Sequence, residues 1–225
     1  MTYLGQPCPE PPEGLHVIGP DDPGGFSCGR PPGKSYGPIT QPYKAILIHD
    51  SISPTTSSCY NGLTSHNFGT GAMLDPDGTL FVCLNEIGRS VWHAGPYNRW
   101  CFGLDVIGWL DPNFKTHVPK ARLHAPSLWA TKGYIDYTEA QKVALPLAVG
   151  WLVQCLRLPE IKVLWHSEGY LWTMPYGKAC PKSEKPAEFF ALHPDVTVLA
   201  HSQICKPRWD GNRAIEVLAG PKWSR

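Results

Sequence analysis

The sequence predicts an α/β or α+β domain in which short strands are interleaved with at least one long helix. Short apolar runs bounded by turn-forming residues recur between residues 45 and 165, a pattern typical of buried strands. One longer stretch, residues 138–156, has apolar residues at helical spacing behind a helix-capping sequence. The alternation of the two patterns favours a sheet with helices packed on it.

Three regions can be separated along the 225 residues. Residues 1–42 are rich in proline and glycine, which disfavour regular helices and central strands, so we predict an irregular N-terminal extension that wraps against the domain. Residues 43–195 form the predicted domain. Residues 196–225 contain no pattern that we can assign and are treated as a C-terminal extension of unknown role.

Four segments are predicted as strands or as a hairpin, because each is a short apolar run with turn-forming residues beside it. In the hairpin, the sequence D-P-D-G separates two such runs. The segments are residues 45–48, residues 72–84, which form the hairpin, residues 102–110 and residues 162–165. The first and the last of them are each followed at once by a histidine, His49 and His166.

The clearest helix signal begins at Thr138. Thr138 and Gln141 form a capping box, in which the two side chains satisfy backbone amides of the first turn. Apolar residues follow at positions 143, 147, 152 and 156. Pro146 lies past the first turn, so we expect it either to kink the helix or to show that the helix starts later.

The composition excludes several classes of protein. Hydrophobic residues make up 42% and charged residues 17%, which is unlike a disordered chain. The formal net charge of +1 leaves no excess positive charge for nucleic acid or anionic lipid, so we expect neither partner. The longest apolar stretch, residues 143–156, is too short to span a bilayer, and the N-terminus lacks a secretory signal. We therefore expect a protein that is left in the cytoplasm or exported by another route.

The eight cysteines are far apart and include no C-x-x-C pair, which argues against zinc fingers and thioredoxin-like sites. Without a signal peptide we expect mostly reduced, buried thiols. A disulfide bridge among the outer cysteines is the alternative.

His49 and His166 could meet at one edge of the sheet, since each ends a short apolar strand. Further along the chain, Lys178 and Cys180 are two residues apart and, in an extended segment, would point to the same side. Two imidazoles and one thiolate make a three-ligand zinc set of the catalytic kind, which keeps a fourth position open for water. The alternative is that each strand-end histidine is a hydrogen-bonded structural residue.

Several motifs together resemble the zinc-dependent N-acetylmuramoyl-L-alanine amidases of type 2, a superfamily that also contains the peptidoglycan recognition proteins and phage lytic amidases. The first motif is W-H-A-G-P-Y-N at residues 92–98, followed by F-G-L-D-V-I-G at residues 102–108. The others, in the family's order, are I-L-I-H at 46–49, D-G-T-L-F at 77–81, Y-T-E-A-Q at 137–141, W-H at 165–166 and G-K-A-C-P at 177–181. The resemblance spans about 140 residues and implies the α/β class, with a central mixed β-sheet flanked by helices.

The resemblance also implies a zinc site and a catalytic apparatus. Zn²⁺ would be held by His49, His166 and Cys180. Lys178 would polarise the amide carbonyl or stabilise the oxyanion, unless it is an ordinary solvated lysine. Asp105 stands where many bacterial amidases have a glutamate, so it would be the general base. Its alternative role is to orient a ligand histidine.

One position departs from the family pattern. Phage amidases have a tyrosine where this chain has Thr70, which cannot reach as far as a phenol. Either Asp105 does the acid–base work alone, or Tyr60 or His66 substitutes for the tyrosine. We expect substrate contacts from the residues that line the implied cleft, namely His93, Trp92, Asn98 and Thr70.

The function implied by the resemblance is hydrolysis of the amide bond between N-acetylmuramic acid and L-alanine of the peptidoglycan stem peptide. We expect a monomer that acts on bacterial cell-wall peptidoglycan as an endolysin, released from the host cytoplasm without a signal peptide. A cytoplasmic recycling amidase and an injected toxin are the other settings. The rival from another class is a non-catalytic peptidoglycan-binding module of the same fold.

Overall fold

The structure is a computed structural model that describes residues 1–27, 39, 41–108, 136–163, 186–204 and 210–219. These residues contain eight strands and four helices. The strands are β1 (Thr2–Tyr3), β2 (Gln6–Pro7), β3 (Val17–Ile18), β4 (Ala45–Ile52), β5 (Ala72–Leu74), β6 (Leu80–Val82), β7 (Cys101–Gly108) and β8 (Val198–Ala200). The helices are α1 (Thr56–Ser65), α2 (Glu139–Cys155), α3 (Pro186–Leu192) and α4 (Asn212–Ala219). Two 3₁₀ turns are formed by Gly95–Arg99 and His201–Gln203.

Six of the strands form one mixed sheet in the order β3-β6-β5-β7-β4-β8. All neighbours in it are parallel except β5 and β6, which form the predicted hairpin. Helices α2 and α4 pack on one face of the sheet, and α1 and α3 pack on the other. The predicted fold class, a central mixed sheet flanked by helices, is confirmed.

Strand β4 is longer than the sequence analysis predicts. Its apolar run ends at Ile48, but the strand continues to Ile52 because β7 pairs with it along all eight residues, from Ala45–Cys101 to Ile52–Gly108. The prediction that His49 ends the strand is therefore wrong. His49 lies inside β4, with a hydrogen-bonded strand beside it.

The alternation of side chains along β4 and β7 separates two environments. Ile46, Ile48, Leu104 and Val106 point to the face covered by α2 and lie in the main hydrophobic core. The opposite face carries smaller apolar clusters under α3 and α1, and His49 belongs to this face by its position in the strand. The polar residues of the site are thus placed on the face opposite the main hydrophobic core.

Helix α2 begins where the capping box predicts. The Thr138 hydroxyl accepts a hydrogen bond from the Gln141 amide (3.0 Å), and the Gln141 side chain accepts one from the Thr138 amide (3.1 Å). Pro146 lies inside the helix, so the alternative of a later start is wrong. The apolar stripe is confirmed except at Val143, whose side chain is exposed. The Gln141 side chain also donates to the backbone oxygens of Leu74 and Ile107, which fastens the start of α2 to the sheet.

The sheet takes strands from both predicted extensions. Strand β3, within residues 1–42, pairs in parallel with β6. Strand β8 and helix α4 lie in residues 196–225, for which the sequence analysis assigns no pattern. Of the strand predicted at residues 162–165, Val163 forms a single bridge with Val198, and residues 164 and 165 lie outside the described residues.

In the described part of the chain, no helix has both the length and the apolar character that crossing a membrane requires.

Candidate metal centre

Three adjacent parallel strands bring the polar residues of the site to one level. Strand β8 pairs with β4 so that Ala200 lies beside Ile48, and the next residue, His201, therefore comes level with His49. On the other side of β4, Asp105 of β7 is paired with His49. Paired residues of neighbouring strands point to the same face, so His49 and Asp105 share one side of the sheet. The ring of His201 lies on this side as well, with its centroid 4.5 Å from that of the His49 ring.

His49, His201 and Asp210 form a buried cluster. Oδ2 of Asp210 lies 3.1 Å from Nδ1 of His49 and 3.0 Å from Nδ1 of His201. All three residues are less than 8% exposed, and one possible ligand atom from each lies within 4.8 Å of the others. Two nitrogen or oxygen ligands of a tetrahedral zinc ion are separated by roughly 3.4 Å, given bond lengths of about 2.0–2.2 Å. The cluster is therefore close to the geometry of a three-ligand zinc site.

The charge of Asp210 suits a metal ligand. Burial raises the pKa of Asp210, but the hydrogen bonds to His201 and His49 outweigh this effect and hold the pKa well below its usual range. The carboxylate is therefore ionised at neutral pH, as a ligand must be.

The His93 ring determines the arrangement of protons on His49. Nε2 of His93 lies 3.1 Å from the Cys101 carbonyl oxygen, which can only accept, so this nitrogen carries the ring proton. Burial lowers the pKa of His93 well below its usual value, and His49 adds to the effect, so the ring is neutral. Nδ1 of His93 is then an acceptor for Nε2–H of His49, 3.0 Å away.

If His49 is neutral, this arrangement would leave a lone pair on Nδ1 directed at the Asp210 carboxylate, whereas the hydrogen bond to Asp210 requires a proton on that nitrogen. A lone pair and a carboxylate oxygen repel each other at 3.1 Å unless a cation lies between them, either a second proton on His49 or a metal ion. His201 approaches the same oxygen atom and supplies a further nitrogen. The donor set therefore fits a divalent metal of the zinc type, for which imidazole and carboxylate are ordinary ligands.

Asp105 is buried beside this cluster. Burial raises the pKa of its carboxyl group, and the nearby His49 and a hydrogen bond with Thr70 oppose the rise. A raised pKa brings a carboxylate closer to the value at which a general base works well near neutral pH. The position and the environment of Asp105 are thus compatible with the role predicted for it.

The segment that carries Asp210 is fixed to β4 through Asp50, on the opposite face from His49. One oxygen of Asp50 accepts a hydrogen bond from the Gly211 amide (2.7 Å), and the other accepts one from the Tyr137 hydroxyl. Burial raises the pKa of Asp50 to about 7, although these hydrogen bonds lower it. Gly211 has a φ of +89°, and a Cβ atom there would lie 2.3 Å from the Ile48 carbonyl oxygen. Only a glycine at position 211 allows this segment to lie so close to the backbone of β4.

Small residues also make room for His93. A Cβ atom on Gly103 of β7 would lie 2.9 Å from the His93 ring, so the ring rests directly on the strand. The buried Asn98 side chain accepts hydrogen bonds from the amides of His93 (3.0 Å) and Ala94 (2.6 Å), which holds the loop before β7 in place. Asn98 therefore positions His93, a role that differs from the substrate contact predicted for it.

The other predicted site residues are distributed as follows. Thr70 is fully buried, and its hydroxyl lies 3.1 Å from the Ala72 carbonyl oxygen and 3.2 Å from the Gly103 carbonyl oxygen. It also forms a hydrogen bond with Asp105. Thr70 therefore supports Asp105 and exposes no surface to a substrate. Trp92 is half-buried in the same loop as His93. The Tyr60 hydroxyl donates to the Ser27 carbonyl oxygen at 3.2 Å, and His66 ends α1. His166, Lys178 and Cys180 lie outside the described residues, so their roles remain predictions.

Sequence reasoning missed His201 and Asp210. The signal for His201 was present, because a short apolar run, Val198–Ala200, precedes it just as such runs precede His49 and His166. Asp210 is followed by a glycine, which is typical of a tight backbone approach. Both lie in the segment that was set aside as an extension.

Solved structures of low sequence identity resemble the chain. Peptidoglycan recognition protein SA of Drosophila is 16% identical, with a TM-score of 0.46, over 94% of this chain and 95% of that one. The endolysin amidase LysCS from Clostridium intestinale is 12% identical, with a TM-score of 0.39, over 90% and 87%. The Ph2119 endolysin of a Thermus scotoductus bacteriophage is 9% identical, with a TM-score of 0.40, over 85% and 88%. No curated protein sequence matches the chain.

Two histidines and a carboxylate on one side of a mixed sheet are a ligand set of the catalytic zinc hydrolases. The model of the N-acetylmuramoyl-L-alanine amidase family matches residues 39–183, which is more than half of the 225 residues. The chain belongs to this family, and the resemblance drawn from its motifs is confirmed. It is thereby grouped with the peptidoglycan hydrolases. The matched segment contains His49, His93 and Asp105 and ends before His201.

Gly211→Ala is predicted to lower the stability of the fold and the metal content together. The new Cβ would meet the Ile48 carbonyl oxygen, and an L-residue at φ +89° is strained, so we expect a loss of about 2 kcal/mol or more in the free energy of unfolding. Urea unfolding and zinc analysis measure both effects. Gly62→Ala is the control, because it is an exposed helical position with open space around a Cβ. An unchanged midpoint for Gly211→Ala would contradict the role assigned to this glycine.

Proposed function

We propose that the protein is a zinc-dependent N-acetylmuramoyl-L-alanine amidase that hydrolyses the bond between N-acetylmuramic acid and L-alanine of the stem peptide. The observation that carries the proposal is the buried cluster of His49, His201 and Asp210 beside Asp105, in a chain of the amidase family. A non-catalytic binding module has no need of a buried carboxylate next to a three-ligand set.

The proposed ligands of Zn²⁺ are His49, His201 and Asp210. This set shares His49 with the set implied by the motifs and replaces His166 and Cys180. Three protein ligands leave a coordination position open. When bound, the ion would supply Lewis-acid chemistry, lowering the pKa of a water molecule and polarising the scissile carbonyl.

The chain's own residues supply the proton transfers and the charge stabilisation. Asp105 takes the proton of the attacking water molecule and can return it to the leaving amine. His93 accepts the Nε2–H of His49 and thereby keeps Nδ1 of His49 directed at Asp210. We propose that Lys178 stabilises the negative charge that develops on the carbonyl oxygen, as the resemblance implies. Because Thr70 replaces the family tyrosine, Asp105 carries the acid–base work alone.

Digestion of purified peptidoglycan, followed by mass spectrometry, tests the function. The proposal predicts free L-alanine amino termini on stem peptides and intact glycan strands that have lost their peptides. Removal of zinc with a chelator should abolish this release, and added zinc should restore it. Binding to peptidoglycan with no new chain ends would support the non-catalytic module, and new reducing sugar ends would indicate a glycosidase.

Substitution of each candidate ligand decides between the two metal sets. His201→Ala and Asp210→Ala should each weaken zinc affinity by more than the ~10–100-fold that loss of a supporting partner causes. His166→Ala and Cys180→Ser should retain about one zinc per chain, the number for a single site. Competition with a chromophoric chelator measures these affinities without an activity assay. Loss of zinc in Cys180→Ser, together with retention of zinc in Asp210→Ala, would contradict the proposed ligands and support the set implied by the motifs.

Asp105→Asn should lower turnover by ~10²–10⁴-fold while zinc stays bound, because the amide keeps the shape and the Thr70 contact but cannot take up a proton. The rate is measured as a function of zinc concentration. Asp195→Asn, the same change at an exposed carboxylate, is the control and should be as active as the unmodified protein. Recovery of the activity of Asp105→Asn at high zinc would show that Asp105 only orients a ligand. Near-normal activity at low zinc would instead indicate that Tyr60 or His66 does the acid–base work.

A further inference from the structure

The N-terminal segment meets the end of α2 through a pair of cysteines. Cys8 follows β2, and Cys155 is the last residue of α2. Their side chains share a hydrogen bond, and Cys8 packs against the hydrophobic core to which Cys155 belongs. The two cysteines are therefore neighbours in the fold, although 147 positions separate them in the sequence.

Several contacts besides the sulfur atoms hold this junction in register. The indole Nε1 of Trp151, one helical turn before Cys155, donates to the Pro9 carbonyl oxygen at 2.9 Å. On the other side of Cys8, its amide donates to the Met1 carbonyl oxygen at 3.2 Å. Hydrogen bonds thus hold the backbone at Cys8 and at Pro9, the residue after it.

The start of the segment is attached to the domain as well. The Thr2 hydroxyl donates to the Glu86 carboxylate at 2.8 Å, and the Leu4 amide donates to the same carboxylate at 3.0 Å. The fully buried Tyr3 accepts a hydrogen bond from the Tyr43 amide at 2.9 Å. Residues before Cys8 therefore present it to α2 from a defined direction.

The environments of the two thiols differ in a way that suits disulfide exchange. Of the five cysteines in the described residues, Cys8 alone is half-buried, and the other four are buried. The hydrogen bond from Cys155 lowers the pKa of Cys8, and burial opposes this effect. The thiolate is the nucleophile in disulfide exchange, so the more accessible sulfur is also the more reactive one.

We propose that Cys8 and Cys155 form a disulfide bond when the protein meets a low-molecular-weight disulfide, and that this bond fastens the N-terminal segment to α2. The Cys8 thiolate attacks the small disulfide, forms a mixed disulfide and releases one small thiol. Cys155 then loses its proton and attacks the Cys8 sulfur, releasing the second small thiol. Two protein thiols are oxidised to one cystine, and the small disulfide is reduced to two thiols.

The bond would close a loop containing most of the domain, including β4 and β7. Closing a long loop restricts the unfolded chain strongly and so favours the folded state. The pair lies on the α2 side of the sheet, opposite the face that carries His49, so the metal centre should be unaffected.

The test uses the full chain treated with oxidised glutathione, and with dithiothreitol as the reduced reference. The protein is digested with trypsin and a glutamate-specific protease. Trypsin releases Cys155 in the peptide of residues 143–157, and cleavage after Glu13 separates the peptide with Cys8 from the peptide with Cys28. We expect a disulfide-linked pair of the peptides that carry Cys8 and Cys155. The oxidised protein should unfold at a temperature roughly 5–15 °C higher than the reduced protein.

The first variant is Cys8→Ser, which replaces one sulfur atom by oxygen at a half-buried position at the edge of the core. Its unfolding temperature should match that of the reduced protein and should not respond to oxidised glutathione. Cys155→Ala serves as the second variant and should likewise lose the response. The proposal is overturned if Cys8 is found linked to another cysteine, if both thiols stay reduced in the folded protein, or if Cys8→Ser keeps the shift in unfolding temperature.

Discussion

The candidate site depends on the register of three parallel strands. The pairing of β4 with β7 places Asp105 beside His49, and the pairing of β4 with β8 places His201 beside it on the other side. Because successive side chains of a strand point to opposite faces, a slip of one residue would turn His49 into the hydrophobic core under α2. The fully buried apolar residues that alternate with the site residues, such as Ile48 and Leu104, hold this register.

A second set of constraints comes from residues that take no part in the chemistry. Gly103 and Gly211 allow a ring and a backbone segment to approach the strands more closely than any other residue would permit. Asn98 and Asp50 then fix these approaches with hydrogen bonds to backbone amides. The geometry of the candidate ligands is thus determined on both faces of the sheet, with His49 and Asp50 adjacent in the sequence and pointing in opposite directions.

Local patterns predicted the parts of the fold that local interactions determine. The hairpin of β5 and β6 and the start of α2 depend on turn and capping residues within a few positions, and both were predicted correctly. The length of β4 was not, because its second half is polar and is a strand only through pairing with β7. Strand β8 has three residues, too few to give a pattern, and its burial comes from non-local contact with β4.

The same distinction explains the outcome for the site. His49, His93 and Asp105 lie within family motifs and were singled out from the sequence, whereas His201 and Asp210 reach the cluster only through β8 and the start of α4. The sequence analysis chose His166 and Cys180 by spacing and resemblance, and this choice stays a prediction because both residues lie outside the described residues. Asn98 and Thr70 were assigned to substrate contact because exposure cannot be seen in a sequence, yet both are buried.

The arrangement of protons around His49 supports the proposal that a metal ion binds in the cluster. Neutral His93 accepts a hydrogen bond from one nitrogen of His49, and the other nitrogen faces an ionised carboxylate that His201 also approaches. X-ray absorption at the zinc edge of the zinc-loaded protein tests this account most directly. We predict a first shell of nitrogen and oxygen atoms at about 2.0–2.2 Å with no sulfur, and a zinc–sulfur distance near ~2.3 Å would contradict the assignment of His49, His201 and Asp210 as the ligands.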